Sequence, residues 1–303
     1  RSSDLAFMMH TSTSPQYSII ASTDVSAKMM DDAGEYLTDE SIDEAITFRQ
    51  AMVRLTQQVV QRNATDWWFG VWQPDDVDGT PFAEVDRQRL HQSDAWVLKP
   101  GAQWHGFGDL GNDYCMLDPI KVTLLTPGLD SQGQLQAWGI PAPLVSSFLS
   151  SCGTVVEKTE PYSILVLFSI GVTKGKWGSL VAAMMEFKKH YDANTALEEV
   201  MPDLVAAYPD SYEGLGLQDL AQRMHDEIVR SGLLRNMDKA FTLLPDPVST
   251  PRATYAKLVK GNVEQIAVRD LQDRTVAVQV VPYPPGIPLM MPVHSVGADK
   301  SAI

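Results

Sequence analysis

The chain has 303 residues, 44% hydrophobic and 20% charged, which suffices for one large domain or two smaller ones. Its formal net charge of -14, from 24 Lys and Arg against 38 Asp and Glu, argues against nucleic acid and anionic membrane surfaces as partners. No apolar run approaches the roughly 18 residues that span a bilayer, and two distant cysteines, Cys115 and Cys152, predict neither a disulfide nor a zinc site and a cytoplasmic location.

The N-terminus lacks the basic and apolar regions of a signal peptide and an initiator Met, so the chain is expected to start within a longer protein. Residues 8–15 read as a hydroxyl-rich turn, followed by a helix toward Met29-Met30 that breaks at Asp31-Asp32-Ala33-Gly34. Thr38 is the expected N-cap of a second helix, with Asp39, Glu40, Asp43 and Glu44 near its positive end. Ile42, Ala45, Ile46, Met52 and Val53 give that helix a core stripe. From Trp67 to Gly111 the pattern is irregular. Apolar alternation after Asp118-Pro119 predicts a strand closed by Pro127-Gly128. Pro141 starts a helix through Phe148 that ends by Gly153. Thr154-Val155-Val156 and Ile164–Ile170 read as two strands. A long helix from about Lys176 to Tyr191 places Leu180, Met184, Phe187 and Tyr191 on one face. Gln218–Val229 reads as a helix and Val276–Val281 as a strand. The order predicts an α/β protein with helices packed on a mostly antiparallel sheet.

Local catalytic motifs are absent: there is no G-x-S-x-G, H-E-x-x-H or G-x-G-x-x-G. Gly171-Val-Thr-Lys-Gly-Lys176-Trp177 imitates a phosphate loop but is one residue short, with Trp177 where Ser or Thr would hold magnesium. None of the six His residues has a His or Cys neighbour at ligand spacing, so no metal site is expected. Trp104 and His105 lack an adjacent nucleophile and read as packing. Tyr283-Pro-Pro-Gly286, among Val280, Val281, Ile287 and Leu289, reads as a buried rigid loop.

Longer signatures carry more. Ala6-Phe-Met-Met-His-Thr-Ser-Thr-Ser-Pro-Gln-Tyr17, Trp67-Trp-Phe-Gly-Val-Trp-Gln-Pro74, Trp104-His-Gly-Phe107 and Leu117–Gly128 follow one another in order. Gly139-Ile-Pro-Ala142, Val155-Val-Glu-Lys-Thr159, Leu167-Phe-Ser-Ile-Gly171 and Pro282-Tyr-Pro-Pro-Gly-Ile-Pro288 complete the series. Together they resemble the bacterial ornithine/lysine/arginine decarboxylases of fold type I, with lysine enzymes the best match. The resemblance implies pyridoxal 5'-phosphate as cofactor, its ring acting as the electron sink for loss of carbon dioxide.

It also implies a division of the chain, with residues 1–31 ending the cofactor-binding major domain and 32–303 forming the C-terminal domain. The cofactor lysine would then precede this chain, leaving no catalytic residue in it and predicting that the chain alone is inactive. A homodimer with a shared active site is implied, with a higher oligomer possible in the full-length protein.

Two sites follow from the resemblance. The second residue after His10, Ser12, would reach the cofactor phosphate of a partner subunit, with Thr13 and His10 beside it; the plain alternative is an N-cap turn. Glu157 would bind the distal ammonium of the substrate, against the alternative of an exposed strand charge paired with Lys158. The implied reaction converts L-lysine to cadaverine and carbon dioxide. Arginine or ornithine is the alternative substrate, and a non-catalytic fragment that only associates with intact subunits is the alternative of another class.

Overall fold

The computed structural model describes residues 16–108, 110–111, 115–130, 132–243, 245–283, 286–292 and 294–297. The first helix, α1 (Tyr17–Arg62), runs through the expected break with a single non-helical residue, Ala33 at φ -147° and ψ 17°. The second half begins at once after this kink, so Thr38 is not an N-cap. Its hydroxyl donates instead to the Gly34 carbonyl at 2.9 Å, which a threonine can do inside a helix. The expected core stripe holds, with Ala45, Ile46 and Met52 fully buried. The expected domain division at residues 31 and 32 falls inside α1, beside the kink.

Short strands β1 (Gly70–Val71), β2 (Asp76–Val77) and β3 (Thr80–Pro81) follow, then the single turn α2 (Arg87–Leu90). Next come β4 (Lys121–Leu125), α3 (Ala142–Ser151), β5 (Lys158–Thr159) and β6 (Ser163–Leu167). The sheet order is β1-β4-β6-β5, with every pairing antiparallel. Val122, Leu124 and Ile164 point inward and are buried, while Lys121 and Leu125 lie on the other face, as period-two alternation demands. Val155 and Val156 precede β5 rather than forming a strand, and Val155 is exposed.

Helix α4 (Lys174–Asp192) buries Trp177, Leu180, Met184, Phe187 and Tyr191. These pack against the sheet, α3 and the Phe48 side of α1; Phe48 lies 5.2 Å from Phe168 and 5.7 Å from Trp177, centroid to centroid. Three short helical turns, α5 (Leu197–Val200), α6 (Pro202–Ala207) and α7 (Pro209–Tyr212), lead to α8 (Leu217–Ser231). Helix α9 (Leu233–Thr242) and α10 (Pro251–Val259) follow, and a single 3-10 turn comes later at Val268–Asp270.

The expected strand Val276–Val281 is not formed. That stretch makes one isolated bridge, Val280 to Met290, with another just before it from Thr275 to Ser295, because no neighbour runs alongside long enough for a ladder. The loop at Tyr283 is likewise not buried: Tyr283 is 70% exposed and Ile287 55%. Its apolar neighbours have no layer packed over them.

A second apolar cluster gathers Ile46, Val77, Phe82, Leu90, Trp96 and Leu117. Arg49 stands between the two clusters, fully buried. It donates to the carbonyls of Pro119 at 3.0 Å, Lys121 at 2.9 Å and Trp72 at 3.3 Å, and to Gln73 Oε1 at 3.3 Å. The guanidinium also lies over the Trp96 ring, 5.2 Å from its centroid. Burial pushes Arg49 down to about 9, opposed by the charge of Asp118, so it stays cationic at neutral pH. One side chain thus ties α1 to β4 and to the loop after β1.

Candidate functional site

Glu157 sits one residue before β5, where its backbone N–H donates to the Leu165 carbonyl at 2.9 Å. This bond places the side chain at the sheet edge, exposed, beside a groove of about 270 Å³ lined by Thr154, Val155, Val156, Val166 and Leu167. Among the described residues its carboxylate has no ion pair and no side-chain hydrogen bond. The neighbouring Lys158 does not pair with it. Its Nζ lies over the Tyr283 ring, 5.6 Å from the centroid. Thr159 is anchored to α3 through Ser146, hydroxyl to hydroxyl at 3.0 Å. A carboxylate left free in a shallow groove can receive an ammonium group.

His10, Ser12 and Thr13, the expected phosphate contacts, lie outside the described residues.

His105 is buried with both ring nitrogens engaged: Nε2 donates to the Lys99 carbonyl at 2.8 Å, and Nδ1 accepts from the Phe107 N–H at 3.0 Å. Trp104 packs on Trp72 at 5.2 Å. Both residues have the packing role expected of them. In the phosphate-loop look-alike, Lys176 Nζ donates to the Gly171 carbonyl of the same loop at 2.9 Å.

The structure also assembles two polar groups that local sequence does not announce. His225, buried on α8, donates from Nε2 to the Gln136 carbonyl at 2.9 Å, which leaves Nδ1 to accept the Tyr162 hydroxyl at 2.7 Å. Burial pushes the Tyr162 phenol up to about 12. Close approach of the chain at Gly139 makes room for this pair, since a Cβ there would overlap His225 Nδ1. Partners 63 residues apart carry no local signal.

The other group centres on Lys188, which bonds Asp66 at 2.6 Å and Asp192 at 2.7 Å and lies 4.5 Å from the Trp67 ring centroid. Burial pushes the Asp66 carboxyl up, but Lys188 and the Trp67 N–H outweigh it and hold it below the usual carboxylate range. Pyridoxal phosphate requires a lysine amine that can lose its proton, together with a cradle of donors for the phosphate. Lys188, with a side chain only 12% exposed, is enclosed, but its Nζ is taken up by Asp66 and Asp192 and packed against Trp67, which leaves no room at the nitrogen for a cofactor. The described residues therefore do not by themselves fit the cofactor. A cavity of about 930 Å³ between α10 and the chain around Val276–Val280 contains none of the predicted site residues. No helix among the described residues is long and apolar enough to cross a membrane.

The family model for the Orn/Lys/Arg decarboxylase major domain matches residues 2–176, and that for the Orn/Lys/Arg decarboxylase C-terminal domain matches residues 234–303. The chain belongs to the Orn/Lys/Arg decarboxylase family. Among curated members, lysine decarboxylase LdcA of Pseudomonas aeruginosa is 51% identical over 95% of this chain and 37% of its own length. The biodegradative arginine decarboxylase of Escherichia coli is 42% identical over 98% of this chain and 40% of its own. The solved structure of lysine decarboxylase A from Pseudomonas aeruginosa superposes with a TM-score of 0.87 at 49% identity, covering 98% of this chain and 38% of that one. The chain thus spans about two fifths of the length of the family members it matches.

Proposed function

We propose that this chain is part of a lysine decarboxylase that converts L-lysine to cadaverine and carbon dioxide with pyridoxal 5'-phosphate. The observation that carries the reading is its greater identity to a lysine decarboxylase than to an arginine decarboxylase over nearly the same residues. In this reading Glu157 pairs with the distal ammonium of lysine, a charge-assisted contact that a compact primary amine can make. The enzyme acts as a homodimer in the cytoplasm, and Ser12, with Thr13 and His10, reaches the cofactor phosphate of the partner subunit. The Schiff-base lysine and the principal cofactor contacts come from sequence outside these 303 residues.

A substrate panel on the complete gene product tests the assignment, with diamine or agmatine release as readout. We expect kcat/KM for lysine to exceed that for arginine and ornithine by about tenfold or more, equivalent to ~1.4 kcal/mol of transition-state discrimination. Preferential turnover of arginine would overturn it. The 303-residue chain alone, supplied with cofactor and lysine, should release no diamine. Ser12→Ala in the complete protein should speed loss of cofactor on dialysis, followed by its absorbance; unaltered retention removes Ser12 from the phosphate site.

A further inference from the structure

We infer that Tyr283 is a positioning residue for substrate selection: its ring holds the Lys158 ammonium aside and so keeps the Glu157 carboxylate free for the ammonium of a diamino acid. The inference rests on the reading of Glu157 as the substrate's partner. Glu157 and Lys158 are chain neighbours, and an exposed carboxylate beside a mobile lysine would spend part of its time paired with it. Here the lysine is engaged elsewhere. Lys158 Nζ lies 5.6 Å from the Tyr283 ring centroid, a cation–π distance, while the Glu157 side chain has no partner among the described residues. Antiparallel pairing of Lys158 with Leu165 turns successive side chains to opposite faces and starts the two charges in different directions.

The ring is set by its own turn. Gly286 at φ +79° donates its N–H to the Pro282 carbonyl at 2.9 Å, and a Cβ at this glycine would stand 3.1 Å from Tyr283 Cδ2. The exposed Tyr283 ring is thus seated between a glycine turn and a lysine rather than in the core. Without the ring, Lys158 competes with substrate for Glu157. Exposed ion pairs of this kind are weak, so the competition amounts to about twofold to fivefold in apparent affinity.

Steady-state kinetics of the complete gene product with lysine test this. Tyr283→Ala should raise KM about threefold while kcat stays within about twofold. Adding Lys158→Gln to that variant should bring KM back, and Tyr283→Phe, which keeps the ring, should hold KM near the wild-type value. A raised KM that Lys158→Gln does not correct overturns the role of Tyr283, as does an unchanged KM in Tyr283→Ala while Glu157→Gln weakens lysine use. If Glu157→Gln leaves KM for lysine unchanged, the Glu157 assignment fails and the role of Tyr283 falls with it. Should Tyr283→Ala not fold, ¹³C-methylated lysines of the wild-type protein give a second readout. The Lys158 methyl signal, assigned by its loss in Lys158→Arg, should be shifted upfield by the ring, and an unshifted signal overturns the contact.

Discussion

Removal of the Arg49 guanidinium would strand three backbone carbonyls and a glutamine oxygen in the interior at once. We expect Arg49→Ala to destabilise the fold by about 3–5 kcal/mol, since it combines lost buried hydrogen bonds with a cavity. Denaturant unfolding checks this, and a loss below about 1 kcal/mol would mean that water replaces the side chain. Arg49→Lys should recover little, because one ammonium cannot span acceptors distributed around a planar fork. In the sequence Arg49 is one cation among the apolar positions of a helix, and nothing local separates it from a surface residue. Glu157 differs: its block was legible through resemblance, whereas the contact of its neighbour Lys158 with Tyr283, 125 residues after that lysine, was not.

At the scale of elements, periodicity served the long helices well. The residues expected on one face of α4, Leu180, Met184, Phe187 and Tyr191, are all buried, and α3 and α8 lie within a few residues of their expected bounds. Their apolar stripes face one core, so local pattern and tertiary packing agree. Strands were less legible. Val276–Val281 has strand composition but no neighbour to form a ladder, and pairing is a property of two segments. Thr38 misled because its hydroxyl serves equally as a cap or as a donor within a helix turn. Helix α8 ends at Gly232, φ +63°, which also opens α9. Gly232→Ala should cost about 1–2 kcal/mol in denaturant unfolding, because a Cβ opposes the left-handed conformation. A neutral result would show that the junction relaxes to an ordinary helical bend.

For the whole molecule, the ionic groups set a window of stability. Asp66, Asp94, Glu186 and Glu198 are held below the usual carboxylate range. Asp66 is held down against burial by Lys188, Asp94 by its hydrogen bonds to Arg89, Glu186 by Lys189, and Glu198 by the Gly214 N–H. Depressed carboxylates contribute stability that is present above their unfolded values near 4 and is lost as pH falls through the folded ones. Tyr162 has the opposite slope. Its folded value near 12 lies above the unfolded 10.0, so its neutral form favours folding and that contribution is lost as pH rises from about 10 toward 12. The urea midpoint should therefore be flat through neutral pH and fall at the acid end; above about 10 the Tyr162 contribution is lost while the depressed Arg49 acts in the opposite direction, so Tyr162→Phe should make the alkaline limb less steep downward or more steep upward. An alkaline limb unaltered in that variant would assign it to other groups.

The order of eight blocks along the chain, the apolar stripes of its helices and its acidic balance are properties of the linear sequence, and they sufficed to indicate family and fold class. Each depends on residues near one another in the chain, or on their succession. Tertiary structure alone decided that Arg49 is a buried tie, that His225 and Tyr162 form a pair, and that Lys158 rests on Tyr283 instead of Glu157. Those outcomes depend on which distant segments become neighbours, because hydrogen bonds and ring contacts act over a few ångströms of space whatever the separation along the chain.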